Sequence, residues 1–406
     1  MMNKQALLDR FLTYIKINTQ SDPHSNTIPS SPHELTLIKL LEKQLDEMKV
    51  TYNTDKYGYL SLKIPGNVAD VPSIGFLAHV DTAPDYNGAD VNPQIFDNYQ
   101  GQDIFFSNGE VFSAKKFKEL NNYLNKTIIT TDGTSLLGGD DKAGVAIIME
   151  LIKYFKEHEE LKHGDIYVAF TLDEEIGTGV DNFDLAYFKP DFAYTIDGGE
   201  IGELNYETFN AASLDIIFNG LNVHPGSAKN KMINTMELAH EFHAALPKYD
   251  KPEYTDNYEG FNMLMTINGN VEKTTLNYII RDHSSELFNY RKEYLIALIE
   301  NMRLKYPEST ITYVLNDQYY NMKEQVLAKK EALDLAKTAM KLNDVMPLVR
   351  PIRGGTDGSK LSFRNIPCPN LFTGGHNFHG KYEFICLDSM LKALAVSITI
   401  IKENAK

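Results

Sequence analysis

The stretch SIGFLAHV, residues 73–80, is apolar along almost its whole length and has the pattern of a buried β-strand. Outward from it, AGVAIIMELIKYFKE (143–157) has the period of an amphipathic helix, DIYVAFTL (165–172) reads as a second strand and FAYTID (192–197) as a third. Strands alternating with helices predict an α/β fold with a mixed, largely parallel sheet covered by helices. Ligands of such sheets sit outside the carboxyl ends of the strands, which directs attention to the residues just past each one.

From about Phe209 the rhythm changes to strand (SLDIIFNG), helix (TMELAHEFHAAL), strand (FNMLMTINGNV), strand (TTLNYIIRDH), helix (SELFNYRKEYLIALIENMRLKY) and strand (TITYVLNDQYY). That β-α-β-β-α-β order predicts a ferredoxin-like α+β module. After Tyr320 the chain returns to helix-rich α/β character with EQVLAKKEALDLAKTAMKL and the loops RGGTDG and FTGGHNFHG. The expected organisation is one larger domain in two parts, residues 1–207 and 321–406, with 208–320 inserted. No internal repeat or low-complexity stretch stands out, and Gln20–Ser31, rich in Ser, Pro and Asn, predicts a surface loop.

With 406 residues, two domains are the prior expectation, and 43% apolar residues suffice for packed cores. The formal net charge of -15 argues against binding a phosphate backbone, so no nucleic-acid partner is expected. Cys368 and Cys386 form neither a Cys-x-x-Cys pair nor a disulfide framework and read as reduced, partly buried thiols. The N-terminal MMNKQALLDRFLTYIKINTQ fits an amphipathic helix rather than a signal peptide, and no apolar run is long enough to span a membrane. A soluble, cytoplasmic protein with no membrane partner is the expectation.

Chemistry-bearing residues gather at the strand ends. His79 and Asp81 are an i, i+2 pair on one face of an extended segment, so the carboxylate can fix the imidazole's tautomer while the other ring nitrogen binds a metal. Taken alone, this pair equally fits a satisfied strand-end histidine. LLGGDDKAG places Asp140 and Asp141 after a Gly-Gly turn and before a helix, where acidic residues often serve only as caps, yet where one carboxylate could also bridge two cations. TLDEEIGTG puts Asp173, Glu174 and Glu175 past another strand, where three adjacent carboxylates need a cation if they are to stay ionised close together. Asp197 ends a third strand, and FTGGHNFHG adds His376 and His379, of which spacing cannot say which would ligate. As a set, these nitrogen and oxygen donors suit two divalent ions, zinc first, and a two-metal hydrolytic site with one Glu left off the metals as a base.

These motifs in this order, GFLAHVDTAPD, GGDDKAG, TLDEEIGTG, IDGGEIGELNYETFNAA, NVHPGSAK, IRGGTDGSKLS and NLFTGGHNFHGKYEF, span nearly the whole chain. They resemble the two-zinc metallopeptidase family that contains aminoacylase and carboxypeptidase G, most closely its tripeptide aminopeptidases. The resemblance implies a zinc-peptidase-like catalytic domain with an inserted lid. It implies two Zn2+ per chain, one held by His79, Asp141 and Asp197 and the other by Asp141, Glu175 and His379, with Asp141 as the bridge and His376 non-ligating. It further implies that Asp81 orients His79, that Glu174 is the general base for a water bridging the zincs, and that His224 of NVHPGSAK helps to stabilise the oxyanion. Arg281 and Arg353 suit the substrate carboxylate, and the implied reaction removes the N-terminal residue from tripeptides. In dimeric relatives the lid histidine comes from the partner subunit, so a homodimer through the lid domain stays open. Two rival readings stand beside this one: a relative acting on acylated amino acids or dipeptides, and a metal-free binding protein, against which the complete ligand set argues.

Overall fold

The computed structural model describes residues 3–406, so Met1 and Met2 of the N-terminal segment lie outside the described residues. The chain divides into two compact units. One comprises the chain up to Tyr206 together with Glu324–Arg350 and Thr356–Lys406; the other is Glu207–Lys323 with Pro351–Gly355.

The first unit is built on an eight-stranded mixed sheet, ordered Tyr52–Thr54, Leu60–Ile64, Ile166–Thr171, Ile74–His79, Phe192–Gly198, Asn370–Phe372, Glu203–Asn205, Leu348–Val349. Ile74–His79 is buried at every position and lies parallel to both neighbours, as its unbroken apolar run requires. His79 stands opposite Thr171, and Leu77 opposite Thr195, so these three strands deliver His79, the 173–175 turn and Asp197 to one edge of the sheet. Helix Gly139–Glu157 packs on Ile74–His79 and Phe192–Gly198. Its approach is close: a Cβ on Gly144 would sit 2.0 Å from the carbonyl oxygen of Ile196. A smaller antiparallel sheet, Gly375–His376, Phe384–Cys386, Ile128–Thr131 and Pro93–Phe96, carries the loop that holds His379.

The second unit runs strand Asn210–Asn219, helix Thr235–Ala244, strands Phe261–Gly269 and Lys273–Asp282, helix Ser285–Lys305 and strand Thr310–Tyr319. All its strand pairs are antiparallel, in the order Phe261–Gly269, Lys273–Asp282, Asn210–Asn219, Thr310–Tyr319. Leu214, Ile216 and Phe218 alternate inward against Leu276, Tyr278 and Ile280 and against Phe242, Leu295 and Ile299 of the helices.

Two features depart from the sequence reading. Pro351–Gly355 joins the second unit, because Ile352 N–H donates to Glu207 O at 2.8 Å and Arg353 grips the 255–259 loop. Gln20–Ser31 is not simply a surface loop, since Ser21, Ser30 and Ser31 are buried and Ser30 N–H donates to both carboxylate oxygens of Asp173. Cys368 and Cys386 are free and buried. No helix among the described residues is long and apolar enough to cross a membrane.

Candidate metal centre

His79, the last residue of its strand, is 2% exposed. Its Nδ1 faces Asp81, 3.1 Å from the backbone oxygen and 3.3 Å from Oδ1, which leaves Nε2 turned to Asp140 Oδ1 at 2.9 Å and Asp197 Oδ1 at 3.7 Å. A ring whose Nδ1–H is held this way presents Nε2 as a ligand. Asp81 does more than orient the ring. Its two oxygens accept the backbone N–H groups of Glu174 and Glu175 at 3.0 and 3.1 Å, so one carboxylate sets both His79 and the acidic turn.

The carboxylate at the centre of the cluster is that of Asp140. Its Oδ1 meets His79, and its Oδ2 lies 3.4 Å from His379 Nε2. The sequence reading expects Asp141 as the bridge, and the backbone aims the two carboxylates differently: Gly138 has φ 77, and Asp140 is extended (φ -85, ψ 105) while Asp141 is not (φ -120, ψ 32). Adjacent side chains therefore diverge. Asp141 turns its Oδ1 to the N–H of Gly144 at 3.1 Å but stays near His79 and Asp197. Ligand-type atoms of His79, Asp141 and Asp197 lie within 4.8 Å of one another, as do those of His79, Asp140 and Glu175.

Glu175 faces His379, whose Nε2 is 3.0 Å from Glu175 Oε2. Asp173 and His379 both have positive φ, 56 and 63, a conformation uncommon outside glycine and concentrated where a site dictates the backbone. Asp173 is pinned by Ser30 and by Glu34, which accepts the Asp173 N–H at 3.1 Å; the sequence reading passed over Glu34, a helix residue remote from every motif. His376 turns instead to the Tyr123 hydroxyl at 2.5 Å and stacks on Phe384, so it stands apart from the cluster.

The electrostatics of the cluster follow from its burial and from the crowding of its carboxylates. Burial pushes Asp141 and Glu174 well above the carboxylate range, and raises Asp197 to about 7 and Glu175 to about 8, with neighbouring carboxylates adding to it. Burial opposes protonation of His379, but Asp140 and Glu175 outweigh it and raise its pKa to about 11. His79 is likewise driven up, burial notwithstanding, by Asp140, Asp197 and Asp81. Asp141 Oδ2 and Glu175 Oε1 are buried without a hydrogen-bond partner. Buried carboxylates, orphaned oxygens and two histidines aimed inward are a donor set that divalent cations satisfy, and side chains of this kind fit zinc.

The other predicted residues belong to the second unit. His224 is exposed and opens the turn Pro225–Ser227, accepting the Gly226 N–H at Nδ1. Arg281 lies over the Tyr319 ring and donates from Nη1 to Ala212 O and Ile280 O. Arg353 is consumed locally: Nη1 donates to Asn257 O and Glu259 O, Nη2 donates to Thr255 Oγ1 at 2.9 Å, and the plane covers Phe209. Arg353 sits in the second unit rather than in the larger domain expected from sequence, and its fork is occupied by these local partners.

Comparison with known proteins gives concordant results. Peptidase family M20/M25/M40 matches residues 138–403. A relative from Bacillus licheniformis named Peptidase T is 50% identical over 403 residues, covering 98% of each chain. Among solved structures, the aminopeptidase PepT from Bacillus cereus superposes with a TM-score of 0.78 at 22% identity, covering 100% of both chains. A tripeptidase from Staphylococcus aureus gives 0.80 at 19% identity, over 100% of this chain and 99% of that one.

Proposed function

Because the chain belongs to peptidase family M20/M25/M40, we propose that it is a two-metal aminopeptidase that releases the N-terminal residue of tripeptides. The observation that carries the reading is Asp140, whose two oxygens face two histidines from opposite ends of the chain. His79, Asp140 and Asp197 would hold one ion and Asp140, Glu175 and His379 the other, with Asp141 behind them. When bound, such a pair, zinc being the first candidate, supplies Lewis acidity and lowers the pKa of water.

The chain's own groups supply the rest. Glu174, not needed as a ligand, takes a proton from the attacking water and returns it to the leaving amine. Asp81 holds the Glu174 backbone so that its carboxylate starts from a fixed place. His224 is assigned to the oxyanion, an assignment supported by its motif and by its exposed ring. The names of the relatives, Peptidase T and tripeptidase, support tripeptides as the substrate class.

The test is a panel of di-, tri- and tetrapeptides and N-acyl amino acids with products identified by mass. A free N-terminal amino acid plus a dipeptide, formed fastest from tripeptides, is the expected outcome. Preferred cleavage of acyl amino acids or dipeptides would overturn the substrate assignment.

A further inference from the structure

Glu383 lies four residues beyond His379 and is 1% exposed. Its carboxylate is paired with backbone. Oε2 accepts the N–H groups of Leu137 at 2.7 Å and Gly138 at 2.9 Å, and Oε1 accepts the N–H of Asp140 at 3.1 Å. Lys142, buried in the same segment, sends its ammonium to Ile17 O at 2.7 Å, so these amides are the partners hydrogen bonding gives Glu383. On its own side Glu383 is fixed too. Its N–H donates to Gly380 O at 3.1 Å and its carbonyl accepts the Thr130 hydroxyl at 2.7 Å.

The arrangement ties two cluster residues that are far apart in sequence. Asp140 is reached through its own N–H, and His379 through the short turn closed by Gly380. Three donors on one carboxylate define its position more tightly than any single bond, and each is charge-assisted. Space is tight as well: a Cβ on Gly139 would sit 3.0 Å from Glu383 Oε1.

We propose that Glu383 is a positioning residue that clamps the 137–140 loop to the His379 turn, holding Asp140 at the separation from His379 that two divalent ions require. The inference rests on the two-metal reading of the site. Its effect is on metal binding first and on turnover through it.

The experiment measures Zn2+ and Co2+ binding to chelated protein by competition with a chromogenic chelator, with the Co2+ absorption spectrum and tripeptide kinetics alongside. Glu383→Gln replaces one acceptor with an amide NH2 facing backbone donors. It should weaken metal binding by about 10- to 100-fold, alter the Co2+ spectrum and lower kcat with KM little changed, while circular dichroism stays that of the parent. Glu383→Asp, which keeps the charge, should recover part of the affinity. Gly139→Ala pushes on the same carboxylate from the loop side and should shift affinity in the same direction, so it decides the matter if Glu383→Gln does not fold. Parent-like affinity and spectrum in both Glu383→Gln and Gly139→Ala would overturn the clamp while leaving the two-metal reading intact. Failure of the parent protein itself to bind either ion would overturn both.

Discussion

Asp81 accepts the backbone N–H of Glu174 at 3.0 Å, and so a residue with no place among the ligands fixes the start of the group assigned to proton transfer. Asp81 is fully buried and the bond is charge-assisted. Asp81→Asn turns an amide NH2 toward a backbone donor or leaves one unpaired, at about 1.5–3 kcal/mol for one such bond. The expected result is a fall in kcat of about 10- to 100-fold in a folded protein, read from steady-state kinetics and a thermal melt. Parent-like kcat would show that the turn is held without Asp81.

Asp140 and Asp141 can be told apart by metal content. Asp140→Asn removes charge from the carboxylate that meets both His79 and His379, and is expected to leave fewer than two ions per chain after dialysis. Asp141→Asn, whose Oδ1 already serves Gly144, should retain more metal than Asp140→Asn. The reverse order by elemental analysis would return the bridge to Asp141.

Charge at the far end of the substrate tests the arginines. Amidating a tripeptide's C-terminus should cost about 30- to 1000-fold in kcat/KM if a guanidinium binds the carboxylate. The penalty should shrink in Arg281→Ala and persist in Arg353→Ala, because Arg353 already serves Thr255, Asn257 and Glu259. Instead, Arg353→Ala should lower stability by about 1–3 kcal/mol, seen in thermal unfolding. Equal cleavage of free and amidated tripeptides by the parent enzyme would remove the carboxylate clamp altogether.

Glu34 gives a pH signature in the chelated protein. Burial, with Asp81 and Asp173 nearby, raises its pKa to about 10, so between its unfolded value and that figure folding takes up a proton. The native state then binds more protons than the unfolded one, and stability from this group is lost as pH rises, by at most about 1.4 kcal/mol per unit. Glu34→Gln has no proton to gain. Its melting temperature relative to the parent should therefore climb from pH 5 to pH 9, and a constant difference would mean that Glu34 is ionised in the fold.

The strand ends were legible because burial on a parallel sheet leaves an unbroken apolar run, after which each polar residue falls at the same edge. His79 and Asp197 could be singled out for that reason, whereas the choice of Glu175 over Glu174 and of His379 over His376 came from the family resemblance, and the β-α-β-β-α-β order of the second unit came from periodicity alone. The choice between Asp140 and Asp141 was not legible, since it turns on the ψ of two consecutive residues rather than on their type. The surroundings of Arg353 were not legible for another reason. Its partners lie 94 to 98 residues away in sequence, and no local pattern marks a loop whose carbonyls await a guanidinium. Glu34 and Ser30 likewise act on Asp173 from segments that look like an ordinary helix start and a loop.

The most direct test of the central claim is Glu174→Gln, assayed for metal content and tripeptide turnover on the same preparation. The amide is nearly isosteric but cannot accept the proton of the attacking water, so two ions per chain should remain while release of the N-terminal residue falls by about 100-fold or more. Loss of an ion would make Glu174 a ligand, and parent-like turnover with both ions present would contradict its role in proton transfer.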